Sequence, residues 1–170
     1  AAGEEAFVPP SDTSQLGLFI VEQRDFGNWR LELGSRFDSQ QIDTGDGRSA
    51  DHDGFSLSAG ASLPLTEPLS LAIGVDRATR LPTVEELFSN GPHAATAAFE
   101  IGNPDLDAEV SNHLDVGLRW RSERFKGSVS LFHTRFDDFI YQIETGEIED
   151  DLPGGIALAV DRTARRLLVR

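Results

Sequence analysis

The sequence predicts an all-β fold, an antiparallel up-and-down meander of about six or seven strands. Three observations predict it. Apolar and polar side chains alternate residue by residue in four separate stretches, only one short interval suits a helix, and the connections are by turns short and long.

Taken in order, QLGLFIVEQ (Gln15 to Gln23) is apolar on both faces and reads as a strand, closed by the short turn RDFG. NWRLELGSRF alternates Trp29, Leu31, Leu33 and Phe37 against Arg30, Glu32, Gly34 and Arg36. A long loop, QIDTGDGRSADHDG, is expected next. FSLSAGASL sets Phe55, Leu57, Ala59, Ala61 and Leu63 against Ser56, Ser58, Gly60 and Ser62. After the turn LTEP, LSLAIGVD repeats the split with Leu69, Leu71, Ile73 and Val75 opposite Ser70, Ala72, Gly74 and Asp76.

The longest connection follows, from Arg80 to Asn112. It holds the one helix-like interval, PTVEELF, where Pro82 suits a helix start and Glu85 and Glu86 suit the N-terminal dipole. HLDVGLRW then alternates Leu114, Val116, Leu118 and Trp120 against His113, Asp115, Gly117 and Arg119. RSERFKG is a short turn. FKGSVSLFHTRF alternates through Val129 and Leu131 before aromatic residues intrude, and the acidic stretch ETGEIEDDLPGG reads as a third long loop.

Composition narrows the function classes. Twenty-nine acids against 15 Lys plus Arg give a net charge of −14, which argues against nucleic acid, whose phosphates need a basic footprint. The absence of cysteine excludes disulfides and thiolate metal sites. No apolar run approaches the roughly 20 residues of a membrane helix, and AAGEEAFVPP lacks the features of a signal peptide. Any membrane span must therefore be built of strands.

Alternation fits a soluble β-sandwich as well as a membrane barrel, because both present one apolar face. The connections favour the barrel. Short turns fall on one edge and long loops on the other, and loops above about 12 to 15 residues are uncommon in compact soluble domains. The opposite face, rich in Ser and Gly, suits a water-filled interior.

The segment RLPTVEELFSNGPHAATAAFEIGNPDLDAEVSNHLDVGLRW resembles a signature of TonB-dependent outer-membrane receptors. An Arg-x-Pro-x-x-x-Glu-Leu-Phe/Tyr element there precedes Gly-Asn-Pro-x-Leu-x-x-Glu-x-Ser and a descending strand. The matching positions are Arg80, Pro82, Glu86, Leu87 and Phe88, then Gly102, Asn103, Pro104, Leu106, Glu109 and Ser111. FKGSVSLFHTRFDDFIY, Phe125 to Tyr141, resembles the next ascending strand of that family. With Gln15 to Gln41 included, the resemblance reaches about Asp151.

The resemblance implies a piece of a transmembrane barrel of about 22 strands in the outer membrane of a Gram-negative cell. It also implies a plug domain, a segment engaging TonB, further strands and lipid as partners, and a scarce metal or metal complex as cargo. The fragment would supply wall and external loops only. Zinc, a ferric siderophore, haem and cobalamin are all open as cargo; SNGPHAATAAFEIGNP is similar to the branch that includes zinc-uptake proteins. Residues 1–151 are expected to be barrel. Residues 152–170, GGIALAVDRTARRLLVR included, are expected to be atypical, as a shifted reading frame, a divergent strand or a trimmed end. A passive porin-like barrel and a soluble β-sandwich binding module are the alternatives.

Enzymatic motifs fail on context. GDGRSA matches Gly-x-Gly-x-x-Gly/Ala but DHDG, not a helix, follows. DTGDGRSADHDG has Gly54 where a calcium loop needs a bidentate Glu. No Gly-x-Ser-x-Gly elbow is present, and adjacent acids such as Asp137 and Asp138 diverge on a strand. No enzymatic activity and no resident cofactor are expected.

Metal binding is the candidate chemistry. Asp51, His52 and Asp53 in one loop, and His93, Glu100 and Asp105 in the next, place imidazole and carboxylate ligands on the same external edge; such donors suit zinc. His93 leads this set. Hydrated loop residues are the plainer reading, and it prevails for Asp105, Asp107 and Glu109, expected to keep the loop in water.

Overall fold

A computed structural model of the chain describes residues 7–93, 98–148 and 156–164. Six strands form one antiparallel sheet in the order β1-β2-β3-β4-β7-β8: β1 (Ser11–Phe26), β2 (Trp29–Thr44), β3 (Ser49–Pro64), β4 (Leu69–Arg80), β7 (Glu109–Arg121) and β8 (Lys126–Asp137). Between β4 and β7 lie α1 (Val84–Phe88), β5 (Asn90–His93) and β6 (Ala98–Ile101). β9 (Phe139–Ile148) and β10 (Ile156–Ala164) join β5 and β6 in a second sheet, ordered β5-β6-β10-β9.

The antiparallel meander is as the sequence predicts, but the first expected loop is largely strand, and so is the described part of the acidic one. Asp38 to Asp53 continue β2 and β3 in unbroken register, from Asp38↔Gly54 to Asp43↔Ser49. Only Gly45–Arg48 turns the chain, closed by Thr44 N–H donating to Arg48 O at 2.9 Å and Arg48 N–H donating to Thr44 Oγ1 at 3.0 Å. At the tip, Arg48 and Thr44 hydrogen-bond Asp46 and hold its carboxyl well below the usual carboxylate range. In the acidic stretch, Glu144 to Ile148 belong to β9. Alternation marks a strand only while one of its faces is apolar, and between Asp38 and Asp53 only Ile42 and Ala50 interrupt a run of polar residues and Gly.

At the opposite edge the turns are short. Phe26 pairs with Trp29 across two residues, with Gly27 at φ +70°, the conformation a II′ hairpin reserves for glycine at its first central position. Phe26 stacks on Trp29 at 4.5 Å, and with exposed Trp120 and Phe125 forms an aromatic belt of the kind barrels place at a membrane interface.

Register brings the predicted apolar residues onto one face: Leu31, Ala61, Ile73 and Val116 share one row and Leu33, Ala59, Val75 and Leu114 the next. The loop-side margin of this band runs Phe37, Phe55, Val75, Leu114, Leu131 across β2, β3, β4, β7 and β8. It drops by six residues over four strand steps. At about 3.3 Å per residue and about 4.8 Å per strand, that stagger is a tilt of about 45°, close to the range of transmembrane barrels.

The apolar face is uncovered. Among the described residues 23 large hydrophobic side chains are exposed, Leu131 at 74% and Leu18 at 62%, whereas the buried hydrophobic core numbers six. A soluble sandwich would bury that face against a second sheet. The small core lies elsewhere, at the loop end of the inward face, where Ile42 of β2 meets Leu87, Phe88, Leu106 and Ile140. No helix among the described residues is long and apolar enough to cross a membrane.

The expected boundary between residues 151 and 152 lies outside the described residues. The tail beyond it contributes β10, which pairs antiparallel with β9 and parallel with β6.

Candidate functional site

The long connection after β4 begins at a charged clamp. Arg80 ends β4 and pairs in register with Glu109 at the start of β7. Its guanidinium donates to Glu86 at 2.9 and 3.0 Å and to Glu109 at 3.4 Å. Burial pulls its pKa down, but the hydrogen bonds to Glu86 and Glu109 outweigh burial and hold it above the ordinary value. Glu109 is buried, and its Oε2 also accepts the N–H of Ile140 at 3.0 Å. Glu109 therefore ties β4, β7 and β9 together and does not serve the hydration role expected of it.

Glu86 works twice. α1 is capped by Thr83, whose side chain accepts the Glu86 N–H at 3.3 Å while the Glu86 carboxylate accepts the Thr83 N–H at 2.8 Å. This reciprocal capping box fixes a helix too short to persist alone. The helix exists to deliver Leu87 and Phe88, at 0% and 1% exposure, into the pocket floored by Ile42.

The Gly-Asn-Pro corner closes over it. Gly102 N–H donates to Ser89 O and Asn103 N–H to Glu86 O, both at 2.8 Å, and Asn103 Oδ1 accepts the Asp105 N–H at 3.0 Å. A Cβ on Gly102 would stand 2.7 Å from the backbone of Leu87 and Phe88, so only glycine permits this approach. Two inward side chains of the hairpin finish the fastening: Gln40 donates to Pro82 O at 2.8 Å, and His52 Nε2–H to Leu106 O at 2.9 Å.

These contacts place the predicted ligands. His52 points inward and is engaged by Leu106, whereas Asp51 and Asp53, its neighbours on a strand, project from the opposite face. Asp105 is exposed at the corner. His93 and Glu100 do meet, on the paired strands β5 and β6: Nδ1–H of His93 donates to Glu100 Oε1 at 2.7 Å. The His93 side chain is 32% exposed and that of Glu100 only 6%, so the carboxylate lies behind the ring. Phe7 stacks on the imidazole ring at 4.2 Å and 14°. Among the described residues no three His, Asp or Glu side chains converge as a metal cluster.

Sequence reasoning missed Phe7, a lone aromatic in AFVPP with no periodic partner, and Ile42, a buried residue within a polar stretch. Arg80, Glu86 and Glu109 were visible as motif positions, but their mutual contacts depend on strand register.

The comparisons with known proteins agree with this architecture. The family model described as TonB dependent receptor-like, β-barrel, matches residues 2–163. The chain belongs to that family, whose members are outer-membrane transport receptors of Gram-negative bacteria. A curated relative, hemoglobin-haptoglobin utilization protein B of Neisseria meningitidis serogroup A / serotype 4A, is 27% identical over 138 residues, 72% of this chain. The match spans 17% of that relative's length.

Solved structures share the fold. The hemophore receptor HasR of Serratia marcescens, solved with its hemophore HasA and heme, superimposes with a TM-score of 0.73 at 19% identity, covering 93% of this chain and 31% of that one. The copper transporter OprC superimposes with a TM-score of 0.68 at 18% identity, covering 89% and 24%.

Proposed function

We propose that this chain forms wall and external loops of an outer-membrane receptor that takes up a metal complex, with haem as the cargo. The observation that carries the reading is the His93–Glu100 pair on the external loop sheet. A buried carboxylate accepting Nδ1–H fixes the imidazole's orientation and its tautomer, with the ring lone pair on Nε2, and histidine is a common axial ligand of haem iron. Phe7 adds an aromatic surface beside it. The names of the curated relative, a hemoglobin-haptoglobin utilization protein, and of HasR, solved with heme, support the same choice.

In this reading His93 and Glu100 act on the cargo, while Asp105, Asp51 and Asp53 contribute a negative external field, and His52 serves the loop's attachment. Movement of the cargo through the barrel would depend on a plug and on TonB, engaged by other parts of the receptor.

The test is haemin titration of the complete receptor and its His93→Ala variant, read by the Soret band. Loss of the histidine-ligated spectrum with at least about tenfold weaker binding is expected, the scale of losing one metal ligand or its support. An unchanged spectrum removes His93 from the site. Zinc calorimetry on the same pair of proteins decides the competing cargo: zinc binding that requires His93, with haemin binding that does not, replaces haem by zinc.

A further inference from the structure

The outward face carries two cations close together at the loop-side margin of its apolar band. Arg77 of β4, Asn112 of β7 and Arg135 of β8 stand opposite one another on three successive strands. Directly beneath them, toward the short turns, lie Val75, Leu114 and His133, then Ile73, Val116 and Leu131. The guanidinium row therefore sits at the band's loop-side edge.

The site is prearranged. Asn112 accepts from Arg77 and donates to Asp137, both at 3.4 Å, and Arg135 donates to Asp137 at 2.9 Å. Asp137 is the acid of this network and leaves it with a positive balance. Each guanidinium has five N–H donors and spends one on these bonds. Two strand spacings separate Arg77 from Arg135, about 10 Å, so both can reach one phosphorylated group. A shallow groove of about 600 Å³ lies here, with Arg77, His133 and Arg135 in its lining together with Leu57, Val75 and Leu114. Cationic forks beside an open apolar trough match an amphiphile, not a free ion.

We propose that Arg77 and Arg135 bind the phosphorylated headgroup of an outer-leaflet lipid whose acyl chains lie along the Val75 and Leu114 trough. Arginine suits the role because its planar fork engages phosphate oxygens in pairs. The proposal rests on the placement of this chain as outer-membrane barrel wall. Failure of that placement would show separately, as absence of the complete receptor from the membrane fraction.

The experiment is native mass spectrometry of the complete receptor in detergent, titrated with lipid A carrying both of its phosphates and with dephosphorylated lipid A. Wild type should hold the phosphorylated lipid and discriminate against the other. Arg77→Gln with Arg135→Gln should weaken binding at least about tenfold, the loss of charge-assisted bonds from two guanidiniums. Arg119→Gln with Arg121→Gln, at the other end of β7, should leave it unchanged. Equal affinity of the Arg77/Arg135 double variant and wild type, or equal affinity of wild type for the two lipids, overturns the proposal. Displacement of the lipid by millimolar inorganic phosphate alone also overturns it, in favour of a free-anion site. Heat-dependent gel mobility verifies that the double variant is folded; if it is not, Arg77→Gln alone carries the test, and wild-type affinity there is equally decisive.

Discussion

Arg80 and Glu109 face each other as the last ladder pair of β4 and β7, and their side chains close the base of the long connection with an ion pair at 3.4 Å. Glu109 is the more deeply placed partner, its side chain 11% exposed against 42% for Arg80. Removing Glu109 strands the buried Ile140 N–H, while the guanidinium keeps its two bonds to Glu86. Glu109→Ala should therefore open the connection by about 1–3 kcal/mol, the cost of orphaned buried groups, and Arg80→Ala by less, because its partner keeps the Ile140 bond. Hydrogen exchange of residues 84–106 in the folded receptor would measure both. Equal protection in the two variants and wild type would mean the ion pair fastens nothing.

Gly102→Ala should be the most damaging single methyl in the loop. Its Cβ meets backbone at 2.7 Å, which cannot rotate away, whereas a Cβ on Gly127 meets the ring of Phe125 at 2.9 Å, and that ring can swing aside. We expect about 1–3 kcal/mol lost from loop closure for Gly102→Ala, the usual range for overpacking, and little for Gly127→Ala. Limited proteolysis within the loop is the readout, and comparable cleavage in both variants would contradict the close-packing account.

The two apolar regions should answer differently to mutation. Phe88→Ala empties a fully buried site and should cost about 3–5 kcal/mol of loop packing while the barrel still inserts. Val116→Arg puts a charge inside the outward band and should cost about 2–4 kcal/mol of barrel stability in a bilayer with loop protection intact. Denaturant unfolding in vesicles, paired with hydrogen exchange, separates the two losses. A Val116→Arg variant as stable as wild type would show that this face does not meet lipid.

Acid should act on the β2–β3 hairpin tip late. The Asp46 carboxyl is held below its ordinary value by hydrogen bonds from Arg48 and Thr44. A group depressed on folding stabilises the fold above its unfolded pKa, about 4, and loses that contribution as pH falls through the folded value. The tip should thus be insensitive between about pH 5 and 8 and loosen only in stronger acid, and Asp46→Asn should abolish that acid response. Carboxyl chemical shifts at Asp46 report it directly; a titration near the ordinary value would contradict the bonded tip.

Legibility in the sequence followed the solvent on each side of a strand. Where one side meets the apolar band, alternation located β2, β3, β4 and β7 and assigned Leu33, Val75 and Leu114 to a common face. Past the band the residues are polar apart from Ile42 and Ala50, so Asp38 to Asp53 lost their alternation while keeping their ladder, and read as loop. β5 and β6, four residues each, are too short for any period to register. His93 and Glu100 were legible as ligand types, and it was their pairing across β5 and β6 that needed the fold. Asp51 and His52, adjacent in sequence, were sent to opposite faces by the same two-residue geometry that made the strands recognisable.

One pairing changes how the loop region must behave mechanically. β10 runs parallel to β6 and antiparallel to β9, so two excursions that are separate in sequence share one hydrogen-bonded plate. β9 continues directly from β8 across Asp138, at φ +54°, and β5 and β6 hang from the Arg80 clamp. A push on His93 is therefore transmitted as a lever, through β6 and β10 to β9 and down into the rim of the barrel at β8, and neither excursion can lift without dragging the other.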